Sequence, residues 1–261
     1  MKKINFTKMV AAGNDFIVVK DKLAGNLSAK ARLLCDRKFG IGADGLLLLS
    51  KCSGADFSMR IFNADGSEAQ MCGNGAHCAA FFNAKNKARI LTASGIVNSE
   101  IDGGRVKIQI TSPKGVKSDI PLTVNGRKIK VNFINTGVPH VVIFVSGIGE
   151  INVKQIGRSI RYHKKFAPAG TNVNFAEPEA NNLIRVRTYE RGVEDETLAC
   201  GTGSTAAALI FALKNNLDDL VRVRTQSGQI LKVYFRRDNY KFKNVWLEGS
   251  AKIVYKGEYY V

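Results

Sequence analysis

The sequence predicts an α+β protein that consists of two domains of one fold, related by a pseudo-twofold axis and separated by a cleft. Runs of alternating apolar and polar residues indicate half-buried, mostly antiparallel strands, as in Val106–Ile110, Val221–Arg224 and Ile230–Phe235. Helical segments are fewer. A Cys-Gly-x-Gly turn occurs twice, at Cys72 and at Cys200, almost half of the 261-residue chain apart. The many strands and few helices predict the class, and the repeated turn predicts the two domains.

Four helices are expected from apolar spacing and capping residues. Ser28 is predicted to cap a first helix that runs through Arg37, because serine accepts hydrogen bonds from the first N–H groups of a helix. The Ser112–Gly115 segment, which contains proline and glycine, is the best candidate for a linker between the halves. The other three expected helices cover about Gly75–Asn83, Val153–Tyr162 and Thr202–Lys214.

Further motifs follow the same order in both halves of the chain. Their offsets drift from 124 to 133 residues, as small loop insertions would produce. Several matches in one order indicate an internal duplication. The matched segments are Gly13 with Gly137, Phe62-Asn63 with Glu190-Arg191, and Thr92–Gly95 with Thr225–Gly228.

The composition excludes several classes of protein. Apolar residues make up 45% of the chain and charged residues 23%, which is typical of a globular protein. No apolar run approaches the ~20 residues of a membrane span, and Asn14 and Asp15 interrupt any candidate signal core. Five cysteines, an odd number, do not suggest a disulfide framework. We therefore expect a cytoplasmic protein whose thiols stay reduced.

The net charge is the unusual feature of the composition. It is +17, from 39 Lys and Arg against 22 Asp and Glu, which allows nucleic acid, an anionic membrane or an acidic substrate as partner. The basic residues are nevertheless spread along the whole chain, and the densest cluster, Arg161–Lys165, is short. Neither zinc-finger spacing nor an RNA-recognition sequence is present. We interpret the charge as a solvated basic surface and expect no nucleic-acid or membrane partner.

The duplicated turn combines a thiol with a binding site for an anion. In each copy Cys-Gly-x-Gly stands where a loop becomes a helix, and glycine lets a ligand approach the backbone closely. The first turn of a helix offers unpaired N–H groups and partial positive charge, which suit a carboxylate. The same field lowers the pKa of a thiol from its usual ~8.5. Each half is therefore predicted to supply a polarised cysteine and a carboxylate cradle.

Two such cysteines facing each other allow two chemistries. One is a disulfide switch. The other is inversion of a stereocentre, in which one thiolate removes a proton beside a carboxylate and the opposite thiol protonates the other face. The glycine-rich Gly40–Gly45 segment lacks both the Rossmann spacing and the P-loop lysine, so no cofactor is expected. Packing or loop positions are expected for the remaining cysteines, Cys35, Cys52 and Cys78.

An ordered set of motifs resembles the diaminopimelate epimerase family. The resemblance implies two α+β domains, each a barrel-like sheet around a central helix, with boundaries at 1–115 plus 252–261 and at 116–251. It implies a homodimer that converts LL-2,6-diaminopimelate to the meso isomer without pyridoxal phosphate, for lysine and, in many bacteria, peptidoglycan synthesis. The motifs are Gly13–Phe16, Gly40–Gly45, Phe62–Ser67, Met71–Gly75, Pro139-His140, Thr171–Phe175, Tyr189–Gly192 and Ala199–Gly203.

The resemblance also implies roles for residues at the reacting end of the substrate. Cys72 and Cys200 would be the acid/base pair, and His140 and Glu190 would tune the pKa values of the thiols. Four residues at the helix starts would hold the reacting carboxylate: Gly73, Asn74, Gly201 and Thr202. Taken without the resemblance, His140 reads as a buried, hydrogen-bonded histidine before a strand.

At the distal end, Arg191 would be the charged anchor for the second carboxylate, assisted by Asn63 and Asn172. Glu190 would bind the distal ammonium group, and Asn14 would complete the pocket. No metal ligand is implied. Three positions depart from the family pattern, namely His77 in place of arginine, Val138 in place of asparagine and Gly45 in place of glutamine.

Three other functions compete with this one. A proline or hydroxyproline racemase has the same fold and paired cysteines, but its substrate has no distal ammonium, so Glu190-Arg191 argues against it. A thiol redox or metal-binding protein would use Cys72, Cys78 and Cys200, but the spacing of the first two is wrong for a zinc pair. A basic nucleic-acid-binding module is the third.

Overall fold

The computed structural model describes residues 3–20, 23–180 and 182–260. The chain divides into two compact units: a first unit, which runs to Ile108 and resumes at Gly249, and a second unit, Gln109–Glu248. The sequence-based division had its boundaries after residues 115 and 251. Both units combine strands with two α-helices each, so the predicted α+β class with two domains is confirmed.

The first unit is a closed eight-stranded barrel. Its strands pair in the ring β1–β2–β3–β4–β6–β7–β8–β17, and β17 pairs with β1 to close it. The pairs β2–β3 and β4–β6 are parallel. The ring strands are β1 Lys3–Ala11, β2 Asn14–Lys20, β3 Gly45–Ser50, β4 Phe57–Asn63, β6 Lys87–Thr92, β7 Gly95–Asp102, β8 Arg105–Gln109 and, from its second part, β17 Lys241–Tyr260. The short β5 Glu68–Ala69 pairs with β4 outside the ring.

The second unit repeats this topology. Its strands pair in the order β9–β10–β11–β12–β13–β15–β16–β17, again with two parallel pairs, β11–β12 and β13–β15. The Ile110 N–H, in the segment that leads into β9, donates to the Val245 carbonyl of β17 (2.9 Å). The strands are β9 Lys114–Val124, β10 Arg127–Asn135, β11 Pro139–Phe144, β12 Asn172–Ala180, β13 Leu183–Glu190, β14 Asp195–Thr197, β15 Leu220–Arg224, β16 Ile230–Asp238 and the first part of β17.

One helix lies inside each barrel and one outside. The inner helices contact six strands each, and they are apolar on nearly every side because they have no face to solvent. The outer helices pack on β3 and β4 in the first unit and on β12 and β13 in the second. The outer helices are α1 Leu27–Cys35 and α3 Val153–Arg161, and the inner ones are α2 Gly73–Asn83 and α4 Gly201–Asn215; two 3-10 turns cover Ile148–Glu150 and Lys164–Phe166.

The structure corrects two local predictions. Asn26, not Ser28, caps α1, because its side chain accepts the Ala29 N–H (3.1 Å), while the Ser28 hydroxyl donates to the Gly66 carbonyl (2.6 Å). The expected linker at residues 112–115 is also shorter than predicted, since β9 already begins at Lys114. None of the helices in the described part of the chain has the length and apolar character that a membrane span requires.

Candidate active site

The first cysteine turn forms the N-terminus of the inner helix of the first unit. Cys72 is the N-cap residue of α2, with extended backbone (φ −141°, ψ 122°), and its Sγ accepts the Gly75 N–H at 3.4 Å. A thiol thus takes the place of the serine or aspartate oxygen that usually caps a helix. Helix geometry leaves the N–H groups of Gly73 and Asn74 without acceptors in the helix. Such N–H groups suit an anion, and the N–H donor to Sγ favours the charged form of the thiol.

The second cysteine turn repeats this arrangement in the second unit. Cys200 is the N-cap of α4, and its Sγ accepts the Gly203 N–H at 3.4 Å and lies 3.5 Å from the Thr202 hydroxyl. The start of α4 is held in place, because the Thr136 hydroxyl donates to the Thr202 carbonyl (3.1 Å). Both inner helices begin earlier than the sequence predicted, at the glycine after the cysteine. Both cysteines are therefore capping residues rather than loop residues.

Asn14 and Asn74, which the sequence assigns to the substrate pocket, contact each other. The Asn74 side-chain amide donates to Asn14 Oδ1 at 2.5 Å, and Asn14 Nδ2 donates to Asp44 Oδ2 at 3.2 Å. Because a carboxylate paired with arginine only accepts hydrogen bonds, Asp44 dictates the orientation of the Asn14 amide, and Asn14 in turn that of Asn74. The orientation of the Asn14 and Asn74 amides at the start of α2 is thus set by Asp44, a residue of the glycine-rich Gly40–Gly45 loop.

A cluster of four charged residues supports that loop. Lys8, which is buried, forms an ion pair with Asp15 (2.8 Å) and donates to the Gly42 carbonyl. Arg37 binds the Asp15 carboxylate with two hydrogen bonds (2.8 and 3.1 Å) and reaches Asp44 at 2.8 Å. Burial would raise the pKa of Asp15, but the hydrogen bonds from Arg37 and Lys8 outweigh it and hold that pKa well below its usual range.

Glu190 is the titratable group next to Cys200. Burial raises the pKa of its carboxyl group, and the neighbouring Cys200 thiol opposes that rise without reversing it. Glu190 ends β13, and β14 pairs back upon it, which brings its side chain near the N-cap of α4. A carboxyl group with a raised pKa in contact with a thiol can share a proton with it.

Asn172 and Arg191, both assigned to the distal carboxylate, are joined by a hydrogen bond. Asn172 Oδ1 accepts the backbone N–H of Arg191 at 2.9 Å, and its Nδ2 donates to the Pro139 carbonyl at 3.0 Å. The Arg191 guanidinium donates to the Ala169 carbonyl (3.2 Å), which holds one end of the group. Asn172 thus holds the turn that carries Arg191. The half-buried Arg191 guanidinium uses one N–H group for the Ala169 carbonyl and has further N–H donors for a carboxylate.

His140 lies in β11 and is fully buried. Its Nδ1 is 3.2 Å from the side-chain nitrogen of Asn174, and Asn174 Oδ1 accepts from the Thr188 hydroxyl (3.0 Å). Burial, aided by the positive charge of Arg191, lowers the pKa of His140 to about 3. The ring is therefore neutral at physiological pH.

Asn63 and His77 complete the first unit's candidate residues. Asn63 ends β4 in an exposed position, where its amide donates to the Ser67 hydroxyl (2.9 Å). His77 is buried in α2, and its Nδ1 lies 2.8 Å from the Gly73 carbonyl. Because a carbonyl only accepts, Nδ1 of His77 carries a proton and helps to hold the first residue of the helix.

Three residues of this chemistry were missed by sequence reasoning: Asp44, Thr136 and Asn174. Two of them stand inside quoted motifs, but their partners lie 30 and 34 residues away in the chain, so no local pattern signals them. The described part of the chain contains no group of three or more His, Cys, Asp or Glu side chains placed to hold a metal ion.

Known proteins resemble this chain over nearly its whole length. A family model for diaminopimelate epimerase matches residues 6–120 and 132–254. A diaminopimelate epimerase of Aquifex aeolicus is 42% identical and the match covers 97% of each chain. One from Methanocella arvoryzae is 41% identical over 99% of this chain and 97% of its own.

Solved structures share the fold at lower identity. A PhzF-family phenazine biosynthesis protein from Bacillus anthracis superposes with a TM-score of 0.78 at 18% identity, covering 100% of both chains. A probable proline racemase from Agrobacterium radiobacter has a TM-score of 0.73 at 16% identity, covering 99% of this chain and 92% of its own. These neighbours show the fold alone. The family match and the two relatives, which extend over nearly the whole chain, show that this protein belongs to the diaminopimelate epimerase family of isomerases.

Proposed function

We propose that this protein converts LL-2,6-diaminopimelate to meso-diaminopimelate by a two-base mechanism in which Cys72 and Cys200 exchange the α proton. The family supports an epimerisation role in lysine biosynthesis. The observation that carries the finer proposal is the repetition of one device, a cysteine that caps the inner helix of a barrel, in both units. A reaction whose start and end differ only in the hand of one carbon calls for two similar proton-transfer groups.

In the proposed step, one cysteine is a thiolate and the other a thiol. The thiolate takes the α proton, and the C–H electron pair moves into the adjacent carboxylate, which becomes an enediolate-like dianion. The thiol then donates its proton to the opposite face of the carbon, so the two cysteines end with their protonation states exchanged. No other reactant is consumed.

The carboxylate that gains charge needs donors that are already in place. We assign this role to the helix starts, at Gly73 and Asn74 on α2 and at Gly201 and Thr202 on α4. N–H groups without acceptors in the helix stabilise a dianion more than the monoanionic carboxylate of the substrate, which lowers the barrier. Asp44, through Asn14 and Asn74, would keep one of these helix starts in register with the reacting group.

Glu190 and His140 are the proposed tuning residues. The contact between Glu190 and the Cys200 thiol supports this role for Glu190, because a carboxyl group of raised pKa can stabilise either charge state of the thiol. Its second predicted role, binding of the distal ammonium, stays a prediction. Arg191 would anchor the distal carboxylate with Asn63 and Asn172, and the hydrogen bond from the Arg191 backbone to Asn172 supports their joint action.

The decisive assay incubates pure protein with LL-diaminopimelate in D₂O, with reductant and without added cofactor. Meso product that carries deuterium at the inverted α carbon is expected. Cys72→Ala and Cys200→Ala should each abolish net inversion, whereas Cys52→Ala, which removes a half-buried loop thiol, should not. Absence of product, or wild-type rates in either of the first two variants, would refute the two-base assignment.

A parallel assay separates this function from that of its structural neighbours. Proline and trans-4-hydroxyproline are offered under the same conditions, and no α-deuterium exchange is expected, because neither substrate has a distal group for Arg191. Exchange on proline without turnover of diaminopimelate would favour the racemase alternative. We further propose that the protein is cytoplasmic and forms a homodimer. Light scattering of the purified protein tests the dimer through its molar mass.

A further inference from the structure

The hydrogen bonds of Asn174 determine which nitrogen of His140 carries the proton. Asn174 Nδ2 is 2.9 Å from the Val141 carbonyl and 3.2 Å from His140 Nδ1. The carbonyl is an acceptor only, so the side-chain atom that faces it must be the NH₂ group. That group has two hydrogens, and the second points to His140. The Nδ1 atom of His140 is therefore an acceptor, and a neutral ring must carry its hydrogen on Nε2.

The Nε2 atom has no partner among the described residues, although it is fully buried. An unsatisfied buried donor is costly and rare in native structures. Such a group calls for an explanation, of which a catalytic role is one. Asn172, the neighbour of His140 across β11 and β12, accepts the backbone N–H of Arg191 at 2.9 Å, so a cationic residue lies close by and the surroundings favour an anionic acceptor.

We propose that Asn174 is a positioning residue that holds His140 as a neutral, Nε2-protonated ring, so that His140 serves as a hydrogen-bond donor to an anionic group of the reaction and not as a base. The anionic group is a carboxylate oxygen or a thiolate. The use of the donor rests on the proposed function, whereas the protonation state of the ring does not. Asn174 itself is locked in place, because Thr188 donates to its Oδ1 and Gly203 approaches that atom so closely that any β carbon there would lie 2.3 Å away.

The wild-type protein tests the protonation state directly. The chain has three histidines, so ¹⁵N-histidine labelling gives three ring systems whose long-range ¹H–¹⁵N correlations distinguish the two nitrogens. His140 should be protonated at Nε2 alone from about pH 5 to about pH 9. His77, whose Nδ1 faces a carbonyl, is the internal reference for a proton on Nδ1. An imidazolium, or a proton on Nδ1 of His140, in this range would overturn the proposal whether or not the enzyme turns over diaminopimelate.

Asn174→Asp tests the positioning role. A carboxylate at this position would accept a hydrogen bond from Nδ1, so the proton should move to Nδ1 and kcat should fall about ten- to one-hundred-fold. Asn132→Asp is the matched control, because Asn132 is also buried and donates to a strand carbonyl, that of Val142 (3.1 Å), but contacts no histidine. Equal losses of kcat in the two variants, or an unchanged tautomer in Asn174→Asp, would refute the role of Asn174.

His140 variants distinguish a donor from a base and remain informative if Asn174→Asp does not fold. Glutamine can place an N–H group near the Nε2 position but cannot take up a proton at neutral pH. His140→Gln is therefore expected to retain at least about tenfold more activity than His140→Ala. Equal activity of the two variants would show that the N–H donor is not what the reaction requires.

Discussion

Replacement of Asp15 by asparagine is expected to destabilise the protein by about 2–4 kcal/mol, because it leaves a buried ammonium group without its counterion. The Lys8 side chain is only 9% exposed and the Asp15 side chain 21%. After the change, the Gly42 carbonyl is the remaining described partner of Lys8. The Arg37 side chain is 60% exposed, so solvent screens its share of the loss. The magnitude therefore comes mainly from Lys8.

Urea unfolding at neutral pH measures this loss. Glu68→Gln is the matched control: Glu68 also accepts two hydrogen bonds from an arginine, Arg60, but the two side chains are 39% and 51% exposed. Its loss should stay below about 1 kcal/mol. The reasoning is refuted if the two substitutions cost the same. It also requires that Lys8→Met relieve part of the Asp15→Asn defect, because the stranded charge is then gone.

The pKa of Asp15 also predicts how the stability difference between wild type and Asp15→Asn changes with pH. The pKa of Asp15 is held well below its usual range in the folded protein, so the contribution of its charge is complete above the unfolded pKa of about 3.9. It is lost as the pH falls below that value. The stability difference between wild type and Asp15→Asn should therefore be constant near neutrality and shrink below about pH 4. A difference that grows on acidification would contradict the assigned charge.

Two further predictions concern packing and thiol reactivity. Gly203→Ala should destabilise the protein by about 2 kcal/mol or more in urea unfolding, because its new methyl group would lie 2.3 Å from the Asn174 amide oxygen. Gly149→Ala is the control and should stay within about 0.5 kcal/mol, because a β carbon there would have nothing within 4 Å. Similar losses at both positions would contradict this packing. In native protein at about pH 8, iodoacetamide should modify Cys72 but not Cys35, since burial raises the pKa of the Cys35 thiol to about 12. Peptide mass spectrometry measures the labelling of each cysteine, and equal labelling of the two would refute the prediction.

Local signals in the sequence predicted the elements that depend on local physics. Alternation located strands such as β15 and β16, and the repeated Cys-Gly-x-Gly turn located the starts of both inner helices to within two residues. The two-residue error has a physical cause. Glycines at the start of a helix read as a turn, whereas here they are the first helical residues, and the cysteine before each of them is the cap.

Contacts between distant segments could not be predicted in this way. Ser28 is a good capping residue by type, but its hydroxyl is taken by the Gly66 carbonyl across the fold, and Asn26 caps the helix instead. Asp44 reads as part of a glycine-rich loop, and only the pairing of β2 with β3 brings it to Asn14. The candidate site was predictable where its residues share one turn, and unpredictable where tertiary contacts orient them.

The strand register refines the internal duplication by one residue. In the first unit β3 and β4 place Gly45 opposite Asn63. In the second unit β12 and β13 place Val173 opposite Tyr189, so the register carried one residue further sets Asn172 against Glu190. When the two units are aligned on the first residues of β3 and β12, which are Gly45 and Asn172, Asn63 corresponds to Glu190, whereas the sequence comparison had matched it to Arg191. The correction follows because pairing in a sheet fixes which residues are neighbours, and spacing along the chain does not.

The same register shows that the two barrels carry different side chains at matching positions. Phe16 pairs with Gly45 in the first unit, and His140 pairs with Asn172 in the second, so a phenyl ring stands where the other barrel has an imidazole. With Asn63 in the place of Glu190, the first barrel has neutral groups at both positions where the second has titratable ones. The duplication thus repeats what the backbone does, which is to cap a helix with a thiol, but not the side chains at these two positions. Since only the second unit has a carboxyl group at this place, we expect Glu190 to contribute to the pH dependence of the reaction, and the two directions of epimerisation to respond unequally to changes at Glu190.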